Sequence, residues 1–190
     1  VGSALNIGSY PLELVSNSYE DGMGKIIFNE DIVGFSQEEV YIPEKDSRIW
    51  TSMFHGISNL TWIQFPEGVR TLPEISYCSA LATVVIPSTA VSSRRFIKCD
   101  NISALEGPLT SSDGKFFIVN GHIILTATKW ENNTIEFPTD AYAIDSYSVN
   151  CSTPDVDVII PASITELQNY AFNWADSFSS DVNYRSYTFK

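Results

Sequence analysis

The sequence predicts a β-rich α/β fold: a right-handed solenoid of short strands in one parallel sheet, with an inserted β-hairpin. Three observations carry this. An apolar residue followed by proline recurs at Ile42-Pro43, Phe65-Pro66, Ile86-Pro87, Phe137-Pro138 and Ile160-Pro161, with one more unit ending at Gly107-Pro108. In the units ending at Pro66, Pro87 and Pro108, apolar residues stand six, three and one before the proline, Gly107 excepted. Between Pro108 and Pro138 the pattern is broken by two apolar runs around Asn120-Gly121. A period of roughly 20–29 residues with one strand per unit is the signature of a leucine-rich-repeat solenoid.

Residues 1–24, rich in Ser, Asn and Gly, read as a lead-in segment, and residues 25–190 as a single repeat domain. Lys25 to Phe28 is expected as the first strand, with Ile26 and Phe28 inward and Asn29 at the proline position. This short unit suits an atypical cap over an otherwise open core. Parallel strands are then expected near residues 39–42, 62–65, 83–86, 103–106, 134–137 and 157–160. Side chains alternate along a strand, so the residues three and one before each proline point inward. Proline removes a ladder donor and stops the strand. After it, Val69 and Leu72, or Ile164 and Leu167, turn inward again. Tyr170-Ala171-Phe172 reads as a single helical turn bringing the chain back, and Tyr184 to Lys190 as a closing strand with Tyr187 and Phe189 inward.

Residues 109–130 hold the insertion. Asn120-Gly121 between apolar runs is the strongest short-range hairpin signal. In a two-residue loop, Val119 faces His122 and Ile118 faces Ile123. Phe116, Ile118, Ile123 and Leu125 then share one apolar face, laid against the solenoid.

Composition narrows the function classes. Lys plus Arg number 11 against 23 Asp plus Glu, a net charge of −12. Phosphate-backbone binding needs clustered cations, so nucleic acid is an unsuitable partner. No run reaches the ~18 apolar residues of a membrane span, and Val1 to Asn6 lacks the basic start and apolar stretch of a secretory leader. Cys78, Cys99 and Cys151 have no zinc-like spacing. Cys78 and Cys99 stand at the position that holds Ile57 and Ala175 in other units, with Cys151 one residue off, so all three are expected to stack inside as small hydrophobes. The two histidines, His55 and His122, fall in different units without a nucleophile at motif spacing. Glu106 and Glu136 occupy corresponding outward strand positions, where solvated charge is usual; a glycosidase would need two acids converging in a cleft. Asp155 to Asp157 lacks the glycine turn and bidentate Glu of a calcium loop. Sequons occur at Asn59, Asn101, Asn132 and Asn150. No catalytic residue, metal or cofactor is expected.

The unit Ile160-Pro161, Ile164, Leu167, Tyr170-Ala171-Phe172 resembles the BspA-like leucine-rich-repeat family of bacterial surface proteins, whose unit runs strand, Ile-Pro, Val, Ile-Gly, Tyr-Ala-Phe, Gly-Cys, Leu. Phe54-His55-Gly56 with Asn59-Leu60-Thr61 follows it in a second unit. The resemblance covers about residues 15–176. Here Trp50, Asp145 and Gln168 stand where the family has Gly, and Arg94-Arg95 replaces Tyr-Ala. The resemblance implies a secreted or cell-surface location and adhesion-type contact with a host or matrix partner.

The outward strand positions point to where contact would occur. Tyr41, Trp62, Gln64, Thr83 and Val85 share one phase on neighbouring strands. Aromatic residues at such positions are enriched at binding interfaces. The expectation is a non-catalytic module binding protein or glycan through this face. A structural spacer presenting another domain is the alternative, and a hydrolase using the acidic sheet face the third.

Overall fold

In the computed structural model, which describes residues 14–20, 23–28, 38–42, 47–51, 54–150, 156–173 and 187–189, the chain passes three short strand positions in each repeat. The first is the strand before the proline: Trp62–Gln64, Thr83–Val85 and Ala104–Glu106 stack in parallel, as do Thr134–Glu136, Asp157–Ile160 and Tyr187–Phe189. The second pairs Thr71–Leu72 with Ser92–Ser93, and His122–Thr126 with Ala143–Ile144 and then Glu166–Leu167. The third stacks Phe54–His55, Ile75–Ser76 and Phe96–Ile97, and Val149–Asn150 on Phe172–Asn173. Expectations for residues 1–13, Asn29, Met53, Cys151, Asp155, Ala175 and Lys190 lie outside the described residues.

The alternation read from the sequence places the core. Ile63, Phe65, Val84, Ile86 and Leu105 are buried, as are Ile135, Phe137, Val158 and Ile160 on the later strands. Each stacks on its counterpart one coil away, and the coils close two hydrophobic clusters. Polar ladders run alongside: Thr71 and Ser92 share a hydroxyl hydrogen bond of 2.8 Å, and the Gly68 amide donates to Thr89 Oγ1 at 2.9 Å.

Four features differ from the expectation. The fold is not α/β. Among the described residues the sole helical element is a 3-10 turn, Glu131–Asn133. At Tyr170-Ala171-Phe172 the Ala171 amide closes a turn onto Gln168 O, and Phe172 enters a strand. Three residues are too few to repay helix nucleation, whereas bonds to the adjacent coil are already in place.

There is also no single sheet. The six strands at the first position form two separate stacks. The break follows Ala104–Glu106, where Leu105 N donates to Gly114 O, so the Ser111–Lys115 loop occupies the place of a next strand. The strand expected over 39–42 forms as Glu38–Ile42 but pairs antiparallel with Ser47–Thr51, and the one expected from Lys25 runs Met23–Phe28 and pairs antiparallel with Leu14–Glu20. A hairpin partner close in sequence satisfies these backbones before a coil-distant one can.

Finally, the hairpin is not laid against the array; it is built into it. Ile118 faces Ile123 and Val119 faces His122 as expected, but a register shift falls between Phe117 and Ile118. Alternation sends Phe116 and Phe117 to opposite cores, and the shift takes Leu125 off the face of Ile123. Phe116 and Ile123 pack in the later cluster, and Phe117, Ile124 and Leu125 in the earlier one. Ile118 is left half-buried.

Gly107, the exception in the apolar pattern, has a structural cause. It sits at φ +143°, and a Cβ there would lie 2.2 Å from the carbonyl oxygen of Ile86. No apolar side chain can stand where the chain passes this close to its neighbouring coil. Gly107→Ala should therefore destabilise the fold by roughly 1–3 kcal/mol from backbone strain alone, with further loss from the overlap. Urea denaturation would check this; a variant as stable as the parent would contradict the close approach.

Candidate functional site

The first stack of pre-proline strands has an outward face. Register sets Trp62 beside Thr83 and then Ala104, and Gln64 beside Val85 and then Glu106. The Trp62 side chain is 43% exposed although its strand neighbour Ile63 is buried, the expected outcome of alternation on a half-buried ribbon. Gln64 and Glu106 are exposed, and Thr83, Val85 and Ala104 half-buried. The floor is thus small and mixed, with an indole standing at one corner. Just past the strand ends, Ser88 donates to Glu67 through both its amide (3.0 Å) and its hydroxyl (2.8 Å), and these bonds hold the Glu67 carboxyl below the usual range.

Of the five residues read from the sequence, the structure brings together Trp62, Gln64, Thr83 and Val85. Tyr41 belongs to Glu38–Ile42, where its backbone partner is Arg48 in an antiparallel pair; its side chain lies outside the described residues. Glu106 and Glu136 lie in separate stacks.

A second constellation lies on the second strand position. His122 Nδ1 is 2.8 Å from Asp145 Oδ1, and His122 Nε2 is 2.9 Å from the Tyr142 hydroxyl. The Tyr142 ring meets the imidazole edge-on, with centroids 5.0 Å apart. Ser148 Oγ donates to the carbonyls of Asp145 and Ile123 at 2.7 and 2.8 Å, pinning the backbone beneath the pair. A carboxylate only accepts, so neutral His122 carries its proton on Nδ1 and Tyr142 donates to Nε2. Both ring nitrogens are thereby engaged. His55 meets Ser76 Oγ through Nδ1 at 2.9 Å. The signal for the His122 cluster was present in the chain: Asp145 lies 23 residues beyond His122 and Tyr142 20 beyond it, one repeat along, where coil neighbours touch.

Two of the thiols are interior groups. Cys78 and Cys99 are free and buried. Cys78 Sγ lies 3.3 Å from Phe54 O, and Cys99 Sγ 3.4 Å from Ile97 O. Burial raises the Cys78 thiol and pushes Cys99 from its ordinary 9.0 up to about 12, which suppresses the nucleophilic thiolate. Among the described residues no group of three or more His, Cys, Asp or Glu could hold a metal ion, and no helix is long and apolar enough to cross a membrane.

The family model for BspA-type leucine rich repeat regions matches residues 26–117 and 127–186, in six copies. No curated protein matches the chain. Among solved structures, a leucine rich cell surface protein of Faecalibacterium prausnitzii is similar at 16% identity and a TM-score of 0.37, over 63% of this chain and 40% of its own. A leucine-rich repeat protein of Eubacterium ventriosum is similar at 16% identity and a TM-score of 0.33, over 56% and 37%. The chain thus spans less than half the length of either.

Three outcomes are expected. Nitrogen-15 NMR of native protein at high pH should show His122 as the Nδ1–H tautomer; an Nε2–H signal would break the Asp145–His122–Tyr142 assignment. In a Cys151→Ser background, an impermeant thiol reagent should label Cys78 and Cys99 only on unfolding, and rapid labelling of either would refute their placement. The Cys99 pKa is higher in the folded than in the unfolded chain, so folding holds its proton more tightly. Its contribution to stability is full below about pH 9.0 and is lost as pH rises through about 12. Cys99→Ala should show a shallower loss of stability across that window.

Proposed function

Because the chain belongs to the BspA-type leucine-rich-repeat family, we propose that it is a non-catalytic interaction module of a secreted or cell-surface bacterial protein, binding a protein or glycan partner in adhesion-type contact. The contact surface is the outward strand face of Trp62, Gln64, Thr83 and Val85, with Tyr41 as an outlying member. One observation carries this reading: an indole 43% exposed on an ordered strand, in register with small, half-buried neighbours. A flat aromatic on a stiff backbone buries large area with little loss of freedom. The acidic balance of the chain suits a basic or neutral partner over nucleic acid. The hydrolase reading has less support, since both nitrogens of His122 are engaged and Glu106 and Glu136 belong to separate stacks.

The test begins with a binding screen against extracellular-matrix proteins and glycans. Trp62→Ala should then weaken binding of the partner found by roughly 2 kcal/mol or more, with the folding midpoint nearly unchanged. Glu136→Ala, on the other stack, is the control and should have little effect. Equal, negligible losses in both variants would remove the aromatic face from consideration.

A further inference from the structure

The seam between the two repeat blocks forms a groove that the strand-face reading does not use. It lies where Ser92–Ser93 of the earlier block meets His122–Thr126 of the hairpin, and is an open groove of about 370 Å³. That is near the lower end of small-molecule sites, roughly 300–1000 Å³. Ser92, Ser93, His122 and Ile124 line it, joined by Asp145 and Ser146 from the next coil and Gln168 from the one after. We propose that this groove binds a neutral saccharide.

Two departures from the family pattern meet in the groove. Asp145 and Gln168 both stand where the family pattern has Gly, and both line the groove. They are coil neighbours, because Ile144 pairs with Leu167 immediately before them. Both side chains reach one concavity from equivalent positions of successive coils. Their chemistry, with the serines, is that of polyol recognition. The Asp145 carboxylate accepts from sugar hydroxyls, the Gln168 carboxamide both donates and accepts, and the serine hydroxyls do either. Ser92 is tied to Thr71 Oγ1 at 2.8 Å and Ser93 donates to Arg94 O at 2.8 Å, which fixes their oxygens while leaving lone pairs free.

The carboxylate is held ready for such a ligand. His122 grips one oxygen at 2.8 Å and is itself steadied by Tyr142, while Ser148 clamps the backbone. A preorganised acceptor loses little freedom on binding. No Lys or Arg lines the groove, and the Asp145 charge opposes phosphate, sulfate or carboxylate groups. A neutral sugar is therefore favoured over an anionic one.

The test uses saturation-transfer NMR on the intact chain with glucose, galactose, mannose, N-acetylglucosamine and their disaccharides, beside glucose 6-phosphate as the anionic control. At least one neutral sugar should show transfer and the phosphate ester none. Asp145→Gly removes the acceptor and should weaken binding by about 10-fold or more, the loss expected of a charge-assisted hydrogen bond. Gln168→Ala changes an exposed side chain, so it keeps the fold if Asp145→Gly does not, and should weaken binding several-fold. Glu136→Ala, on the other strand stack, should leave sugar binding unchanged. Absence of transfer from every neutral sugar at tens of millimolar, sugar binding that survives both groove variants, or equal binding of the phosphate ester would each overturn the proposal. Loss in Trp62→Ala alone would assign the sugar to the strand face instead.

Discussion

Every coil of this array satisfies its backbone through the coils on either side. Ala82 N donates to Thr61 O, Ser103 N to Ala82 O, and on another face Gly56 N to Ser76 O and Tyr77 N to Ile97 O. These bonds demand that corresponding residues of successive coils stay level, because a slip of one residue would turn the core side chains outward. Thr71 and Ser92 share their hydrogen bond across a separation of 21 residues. The repeat length is thus the distance along the chain that returns a backbone donor to its acceptor one storey up, and the apolar pattern and the polar ladders all follow it.

The two surfaces proposed for binding follow from keeping this rule and from breaking it. Where stacking is regular, outward residues form a level ribbon, and Trp62 with its neighbours is one end of it. Where the Ser111–Lys115 loop takes the place of a strand, the ribbon stops, the chain makes its hairpin, and the second strand position resumes at His122–Thr126. The seam leaves a concavity on that side. Regular stacking yields a broad face; irregular stacking yields a pocket.

Much of the regular part was legible in the sequence. Proline marks the strand end because it cannot donate, and alternation then sets Ile63 in and Trp62 out without further information. Other features were not legible, for physical reasons that differ. Outside the hairpin strand His122–Thr126, the second and third strand positions are two residues long, too short for any period to register. Whether Val40 pairs one coil away or with Ile49 nearby is a competition between equal backbone bonds, decided by loop closure rather than by side-chain pattern. The shift after Phe117 changes which apolar residues share a face, yet Phe116, Phe117 and Ile118 all suit either side. The His122 cluster was readable only by pairing residues one repeat apart, since its members lie on different coils.

The divided loyalty of Phe116 and Phe117 bears on how the molecule comes apart. In a stack whose members touch only their neighbours, stability is nearly a sum of local and nearest-neighbour terms, so a weak joint lets each segment melt alone. The joint here falls between the two clusters, and the hairpin spans it by placing Phe116 and Ile123 on one side and Phe117 and Leu125 on the other. Neither cluster can dissolve without stripping this hairpin of half its buried contacts. The hairpin thus acts as a rivet, coupling the loss of one stack to the loss of the other.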